Sequence, residues 1–349
     1  MVGLIFTLDY EVYGTGAGDP EALMVRPTES LLSELDRFGA RVTIMAEVAE
    51  ILAFKRQAEF RSVAARIEDQ LRSAVARGHD VQLHLHPAWF NARYDGRHWR
   101  LDSSEYSLVG LPPSRISEYL RKGKDYLEEL LRPVRSAYRC VAFRAGNWLI
   151  QPAREVVSAL ERHGFRYDTS VFKHGWGSAG PYVLDYRSAH DELFSWVVDP
   201  DDINRRSDRV GLREVPIFSR KVLLTSMLTP RRLWMQRSLR RRIAEAGPPE
   251  SPGLGAGRQV SALRVFYPKK FDFCRMTFRE LRAFLHRAIA RCDGADRLVP
   301  VVAIGHSTEL TDKGQLRRFL EHVQTSCRAS VAWTTFSEWP GLDSVGQRG

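Results

Sequence analysis

The sequence predicts one barrel-like α/β domain over residues 1–349, with parallel strands inside, helices outside and an insertion near 180–265. Three observations carry this expectation. Strand-like and helix-like segments alternate through the first half, the mark of parallel βα units. The alternation loosens after about residue 178 and returns near 277, so the last block completes the pattern of the first. A chain of 349 residues with 44% hydrophobic content has ample material for one large core.

Taken in order, "VGLIFTLD" reads as a strand. "TESLLSELDRFG" has apolar residues at helical spacing, with Thr28 as the expected N-cap and Gly39 as the stop. "ARVTIMAE" is a second strand, and "EFRSVAARIEDQLRSAVARG" an amphipathic helix ending at Gly78. "DVQLHLHP" is a third strand, "SRISEYLRKGKDYLEELL" a helix and "CVAFRAGN" a strand. "PAREVVSALERHG" is a helix opened by proline and closed by glycine, followed by "YDTSVF". Beyond it, "EVPIFSRKVLL" reads as a strand with an edge proline, and "AGPPESPGLGAGR" as a Pro/Gly-rich mobile loop. "TFRELRAFLHRAIARC", "LVPVVAIGH", "KGQLRRFLEHVQTS" and "SVAWTTFSEW" restore the alternation.

Composition narrows the function classes. No apolar run approaches the roughly 20 residues that span a bilayer. The chain enters a strand at once, with no basic n-region or apolar h-region, which predicts a cytoplasmic protein. Cys140, Cys274, Cys292 and Cys327 are widely spaced without a CxxC, and read as ordinary thiols. The net charge of +10 is concentrated in "INRRSDR", "SRK", "PRRLWMQRSLRRR" and "YPKK", between residues 203 and 270. Such a block suits phosphate-bearing substrates or an anionic membrane surface, and equally a solvated basic helix. A nucleic-acid-binding module centred on 230–245 is the reading from another class; no nucleic-acid motif surrounds Trp234, so no nucleic acid is expected.

Functional groups of parallel α/β folds gather at the C-terminal ends of strands. Four strand ends carry them: Asp9 and Glu11; His84 and His86; Arg144 and Asn147; and His306. On an extended strand, positions i and i+2 face one side, so Asp9 projects with Glu11 and His84 with His86. A buried carboxylate costs several kcal/mol unless paired, hydrogen-bonded or holding a metal. Two imidazoles and two carboxylates facing one space therefore point to a shared divalent metal: zinc first, with cobalt, nickel or manganese as neighbours. His79 and His163, at helix C-termini, read as structural. His174, in "KHGWGS", is a weaker substrate-contact candidate, and His286 and His322 have no comparable context.

The order of these motifs resembles the polysaccharide deacetylase superfamily, the NodB-homology or carbohydrate esterase family 4 type. "TLDYEVYG" is similar to its Thr-Phe-Asp-Asp-Gly motif and "ARVTIMAEVAE" to the following Ala-Thr-Phe-Phe strand. "GHDVQLHLHP" resembles Gly-His-Glu-Ile-x-x-His, "FRAGNW" the arginine motif, "HGFRYDTSVF" the stretch GFxYDSSxF, and "VVAIGHSTEL" the final histidine motif. The resemblance covers roughly 3–90, 138–176 and 298–337. It implies a distorted (β/α)7 barrel and metal-dependent removal of an N-acyl, chiefly N-acetyl, group from a sugar during surface-polysaccharide assembly. It implies Asp9 as general base, Arg144 as the group orienting it and His306 as general acid. The family's second aspartate falls on Tyr10, so that ligand role moves to Glu11. The first metal histidine matches His84; the second falls on Ala88, and His86 takes its place. A swap, with Asp9 as ligand and Glu11 as base, stays open. Trp89, Trp148, Trp176 and Asn147 follow motif positions as sugar contacts. The expected substrate is an N-acetylated sugar or its nucleotide- or lipid-linked precursor, met at the inner membrane face. Deacylation of a small non-sugar amide or imide is the other enzymatic reading.

Overall fold

The computed structural model describes residues 1–14, 16–179, 182–245, 265–310 and 312–339. Its first half runs β1 (Val2–Tyr10), α1 (Arg26–Arg37), β2 (Val42–Glu47), α2 (Val48–Arg56), α3 (Arg61–Ala76), β3 (Asp80–Leu85), the ribbon β4 (Arg93–Tyr94) and β5 (Trp99–Arg100), α4 (Pro113–Leu131), β6 (Ala142–Ala145), α5 (Arg154–Arg162) and β7 (Tyr167–Asp168). The second half continues with β8 (Trp176–Ala179), β9 (Tyr182–Asp185), β10 (Trp196–Asp199), β11 (Asp202–Arg206), β12 (Arg213–Glu214), β13 (Ser219–Leu223), α6 (Pro230–Glu245) and β14 (Phe266–Lys270). It ends with α7 (Phe278–Arg291), β15 (Val299–His306), α8 (Gly314–Ser326) and β16 (Val331–Trp333).

The central sheet has the order β11-β10-β12-β7-β6-β3-β2-β1-β15, with β16 also paired to β1. Every pairing from β12 through β15 is parallel. All nine positions of β1 are buried, as a parallel strand covered on both faces requires. The sheet curls so that the segment following β12 reaches β15. Val215 N donates to Asp168 O and Ile217 N to Val171 O, while Phe218 N donates to Val302 O at 3.0 Å. One short segment, 215–218, thus ties β7 to β15 and closes the barrel irregularly.

The expected helices are present; α2 was not among them, and α1 starts earlier than expected. Leu31, Leu32 and Leu35 bury the inner face of α1, and Gly39, at φ 60°, ends it in the left-handed conformation that favours glycine. Thr28, expected as N-cap, lies inside α1, buried and without a partner for its hydroxyl. A wider helical turn over Glu21–Val25 runs straight into the helix, so there is no helix start at Thr28 to cap.

The region 180–265 is only partly an insertion. β10, β11 and β12 extend the central sheet, whereas the β8–β9 ribbon and the unit β13–α6–β14 stand outside it. The Pro/Gly loop over 246–258 lies outside the described residues. No helix among the described residues is long and apolar enough to cross a membrane.

At the N-terminal end of β3, Asp80 joins three segments. Its buried carboxylate accepts from Ser337 Oγ (2.6 Å), Gln82 Nε2 (3.0 Å) and Thr43 Oγ1 (3.3 Å). Asp80→Ala should therefore lower the unfolding free energy by about 2–4 kcal/mol, because it strands several buried donors. Urea titration should show this as a lower unfolding midpoint.

Candidate metal and catalytic site

Parallel register assembles the site. Asp9 pairs across with His306, Glu47 with His84, and His84 with Arg144. Five neighbouring strands, β15, β1, β2, β3 and β6, therefore deliver their chemistry to one mouth, at one level. Glu11 Oε2 lies 3.1 Å from His86 Nε2 and 3.3 Å from His84 Nε2. Glu47 joins them, and donor atoms of all four residues lie within 4.8 Å of one another. Glu47 was absent from the sequence expectation. The signal was present: an acid at the C-terminal end of a strand, the same rule that found the others.

This donor set fits a divalent cation. His84 Nδ1 lies 2.9 Å from the Arg144 carbonyl oxygen, so Nδ1 carries the proton and donates it there. Nε2 then turns its lone pair on the Glu11 carboxylate, buried and without a hydrogen bond. Two electron-rich atoms at 3.3 Å require a positive charge between them. A proton serves in the cation's absence. Burial pulls the His84 pKa down, but Glu11, Asp9 and Glu47 outweigh it and hold it at about 9. Burial also opposes ionisation of Glu11, yet His86 and His84 keep its pKa well below the usual carboxylate range. Glu47, fully buried, is pushed up to about 7 by desolvation against the pull of His86 and His84. Its Oε2 accepts the His86 backbone N–H at 2.5 Å and its Oε1 that of Ala49 at 3.1 Å, so it also holds the ligand loop and caps α2.

Gly146 makes room for His86. A Cβ there would meet Leu85 O at 2.7 Å and His86 Cγ and Nδ1 at 2.8 Å. Asn147, at φ 55°, brings Nδ2 to 3.5 Å from His86 Nδ1.

Asp9 lies beside the cluster, held by a different partner. The fully buried Arg144 donates from Nη1 to Asp9 Oδ1, from Nη2 to Thr7 Oγ1 (3.0 Å) and from Nε to Thr169 O (3.0 Å). Burial would raise the Asp9 pKa, but Arg144, then His84 and His306, bring it below the ordinary value. His306 Nε2 stands 3.5 Å from Asp9 Oδ2. The Trp148 ring meets His306 edge-on at 6.0 Å, and Lys270 Nζ sits 3.0 Å from the centroid of the Trp148 ring. Lys270 was read in sequence only as part of a basic block. Burial, then the charge of Arg275, lowers its pKa to about 7.

Other expected contacts lie elsewhere. Trp89 is 2% exposed and packs against Phe54 and Trp99, because the 3-10 turn Pro87–Trp89 directs its ring into the core. It cannot stack on a sugar. Trp176 stands on the β8–β9 ribbon with the Arg187 guanidinium 5.5 Å from its ring centroid. His174 faces Glu192 at 3.4 Å. His79 accepts from Val42 N and meets Asp36, and His163 meets Ser117 Oγ at 2.8 Å, both supporting local structure.

No protein-family model matches the sequence, and no curated protein matches it. Solved structures do resemble it. A protein described as a polysaccharide deacetylase, from Mycobacterium smegmatis, superposes at a TM-score of 0.50 and 15% identity, over 96% of this chain and 87% of that one. The 4-alpha-glucanotransferase from Thermococcus litoralis gives 0.52 and 14%, over 97% of this chain but only 40% of the longer enzyme. At such identities the likeness establishes the fold, a distorted (β/α)7 barrel of the NodB type.

Gly146→Ala should displace the His86 ring. Metal affinity should fall on the order of 10- to 100-fold, the usual cost of disturbing a ligand's support. Competition against a chromogenic chelator measures it, with circular dichroism checking that the fold is retained.

Proposed function

We propose that this chain is a metal-dependent hydrolase that removes an N-acyl group, N-acetyl foremost, from a sugar. The observation that carries the reading is the meeting, in one barrel mouth, of the cluster Glu11, Glu47, His84 and His86 with the chain Arg144–Asp9–His306. The shared fold supports it. Glu11, His84 and His86 would hold the cation, with Glu47 behind them. When bound, such a cation polarises an amide carbonyl and makes water more acidic.

The protein's own groups supply the proton traffic. Asp9, ionised under the field of Arg144, accepts a proton from the attacking water. An amine leaves poorly as its anion, so His306 gives a proton to the departing nitrogen as the C–N bond breaks. The 3.5 Å between His306 Nε2 and Asp9 Oδ2 lets the proton gained by Asp9 return to His306, resetting both groups. Trp148 offers a ring for a sugar face, and Asn147 a polar contact beside His86. Lys270, above Trp148, suits a carboxylate or phosphate substituent on that sugar.

The two acids separate in a direct test. Asp9→Asn should retain metal and lose about 10²-fold or more in turnover of an N-acetylated sugar. Glu11→Gln should lose metal affinity. The reverse outcome would exchange their roles. Hydrolysis of a small cyclic imide with no activity on any N-acetyl sugar would overturn the sugar assignment.

The substrate reading extends to a precursor displayed at an anionic membrane. Residues 215–244 hold eight Lys and Arg and no Asp or Glu. The same region exposes Leu223, Leu228, Leu233 and Trp234, and on the paired strand β14 Phe266, the register partner of Leu223. Exposed apolar side chains within a basic field are what interfacial membrane binding requires, and they add nothing to phosphate recognition in water. Arg231, ion-paired with Asp312, docks α6 just beyond His306, so this face borders the barrel mouth. The side chains of Arg240 and Arg242 lie outside the described residues. Full-length protein should sediment with phosphatidylglycerol vesicles and leave neutral phosphatidylcholine vesicles free. Replacing Arg237, Arg240, Arg241 and Arg242 with Gln should weaken binding most at low salt, by up to about 1 kcal/mol per residue. Leu233→Ser with Trp234→Ser should weaken it at every salt concentration. Vesicle affinity unmoved by either set would reduce the face to a solvated surface.

A further inference from the structure

Outside the barrel, three metal-ligating side chains converge that the proposed reaction does not use. His286 projects from α7. His322 projects from α8, and Cys327 is the C-cap of that helix. His286 Nε2 lies 3.1 Å from His322 Nε2, and Cys327 Sγ lies 3.5 Å from that same nitrogen. All three donor atoms fall within 4.8 Å of one another. We propose that they form a second metal site, for zinc or a similarly soft cation, which clips α7 to α8.

Ligand geometry supports the assignment. Zinc bonds of about 2.0–2.1 Å to nitrogen and about 2.3 Å to sulfur, set tetrahedrally, put ligand nitrogens roughly 3.3 Å apart and nitrogen and sulfur roughly 3.6 Å apart. The two short edges of the cluster match these values. The third, between His286 and Cys327, is longer, and the exposed His286 is the arm able to close it. His322 is held more firmly, with the Phe278 ring packed edge-on at 5.9 Å.

Chemistry supports it as well. Two imidazoles meeting through the same nitrogen can share only one proton, and a third donor atom aimed at that contact adds a lone pair. One cation satisfies all three. A thiolate with two imidazoles selects zinc or copper(I) over magnesium or calcium, whereas the carboxylate-rich barrel site is harder. On binding, the Cys327 S–H gives its proton to solvent and both histidines remain neutral. Three protein ligands would leave a fourth position for water.

The site can be tested independently of the barrel because only this one contains sulfur. Chelator-stripped full-length protein loaded with Co²⁺ should show the near-ultraviolet charge-transfer band of a cobalt thiolate. The band should persist in the His84→Ala/His86→Ala double variant, whatever happens to the barrel metal, and vanish in Cys327→Ser. His286→Gln, on an exposed side chain that the fold does not need, should lower zinc affinity by on the order of tenfold or more. It should also abolish any zinc-induced rise in Tm that survives the barrel double variant. Absence of the band at excess Co²⁺, or zinc affinity unchanged in both His286→Gln and His322→Gln, would overturn the site and leave an imidazole–imidazole hydrogen bond.

Discussion

The mouth of this barrel depends on one buried ion pair, Arg144 with Asp9. A guanidinium taken fully out of water costs several kcal/mol unless every donor finds a partner, and breaking such a pair typically costs about 3–5 kcal/mol. Arg144 meets that demand by reaching across the sheet. It stands on β6, bonds Asp9 and Thr7 on β1, and takes the carbonyl of Thr169 just past β7. Desolvation raises the pKa of the buried Asp168 and Glu214, and their mutual contact raises that of Glu214 further. The carboxylate to which Arg144 donates is Asp9, and that bond fixes it next to His306.

Around the Arg144–Asp9 pair the charges separate. Acids gather with the two histidines: Asp9, Glu11, Glu47 and Glu50, whose two oxygens accept the Val12 N–H. The other cations stand nearby on later segments: Lys270 over Trp148, Arg275 on Glu309, and the basic helix α6. A group of acids favours a divalent cation and a group of cations favours anions. The C-terminal ends of the parallel strands bring the acids and histidines to one end of the sheet.

Much of this was legible in the sequence, for a simple reason. Asp9 and His84 sit on strands of period two, and Glu11 and His86 lie just past those strand ends, so each pair could be assigned to one side without knowing the fold. Register could not be read, and register is what turned Glu47 toward His84. In sequence Glu47 was only the last residue of the strand "ARVTIMAE"; that it caps α2 and stands beside His84 needs the next helix and the neighbouring strand. Lys270 was hidden in the same way, because its partner Trp148 is more than a hundred residues away. Trp89 was misread because a motif position gives no information on which way a 3-10 turn throws its ring. The insertion was drawn too wide because β12 has only two residues, too few for any periodicity, yet it carries the sheet from β7 to β10.

The two departures from the deacetylase motif explain each other in the structure. Where the family pattern has a second aspartate, this chain has Tyr10, whose side chain points away from the mouth and bonds Gln70 Oε1 at 2.7 Å. The carboxylate needed on the mouth side is supplied one residue later by Glu11, at i+2 from Asp9. The histidine expected four residues after His84 is likewise replaced by His86 at i+2. Both changes follow strand periodicity, so both ligands stay on the face of their partners, and Glu11 reaches the two imidazoles at 3.1 and 3.3 Å. An imidazole moved up to position 86 crowds the neighbouring strand end, and there the chain has Gly146, where any Cβ would strike the ring. Shifted acid, shifted histidine and missing side chain thus fit together as one arrangement, each making room for or facing the next.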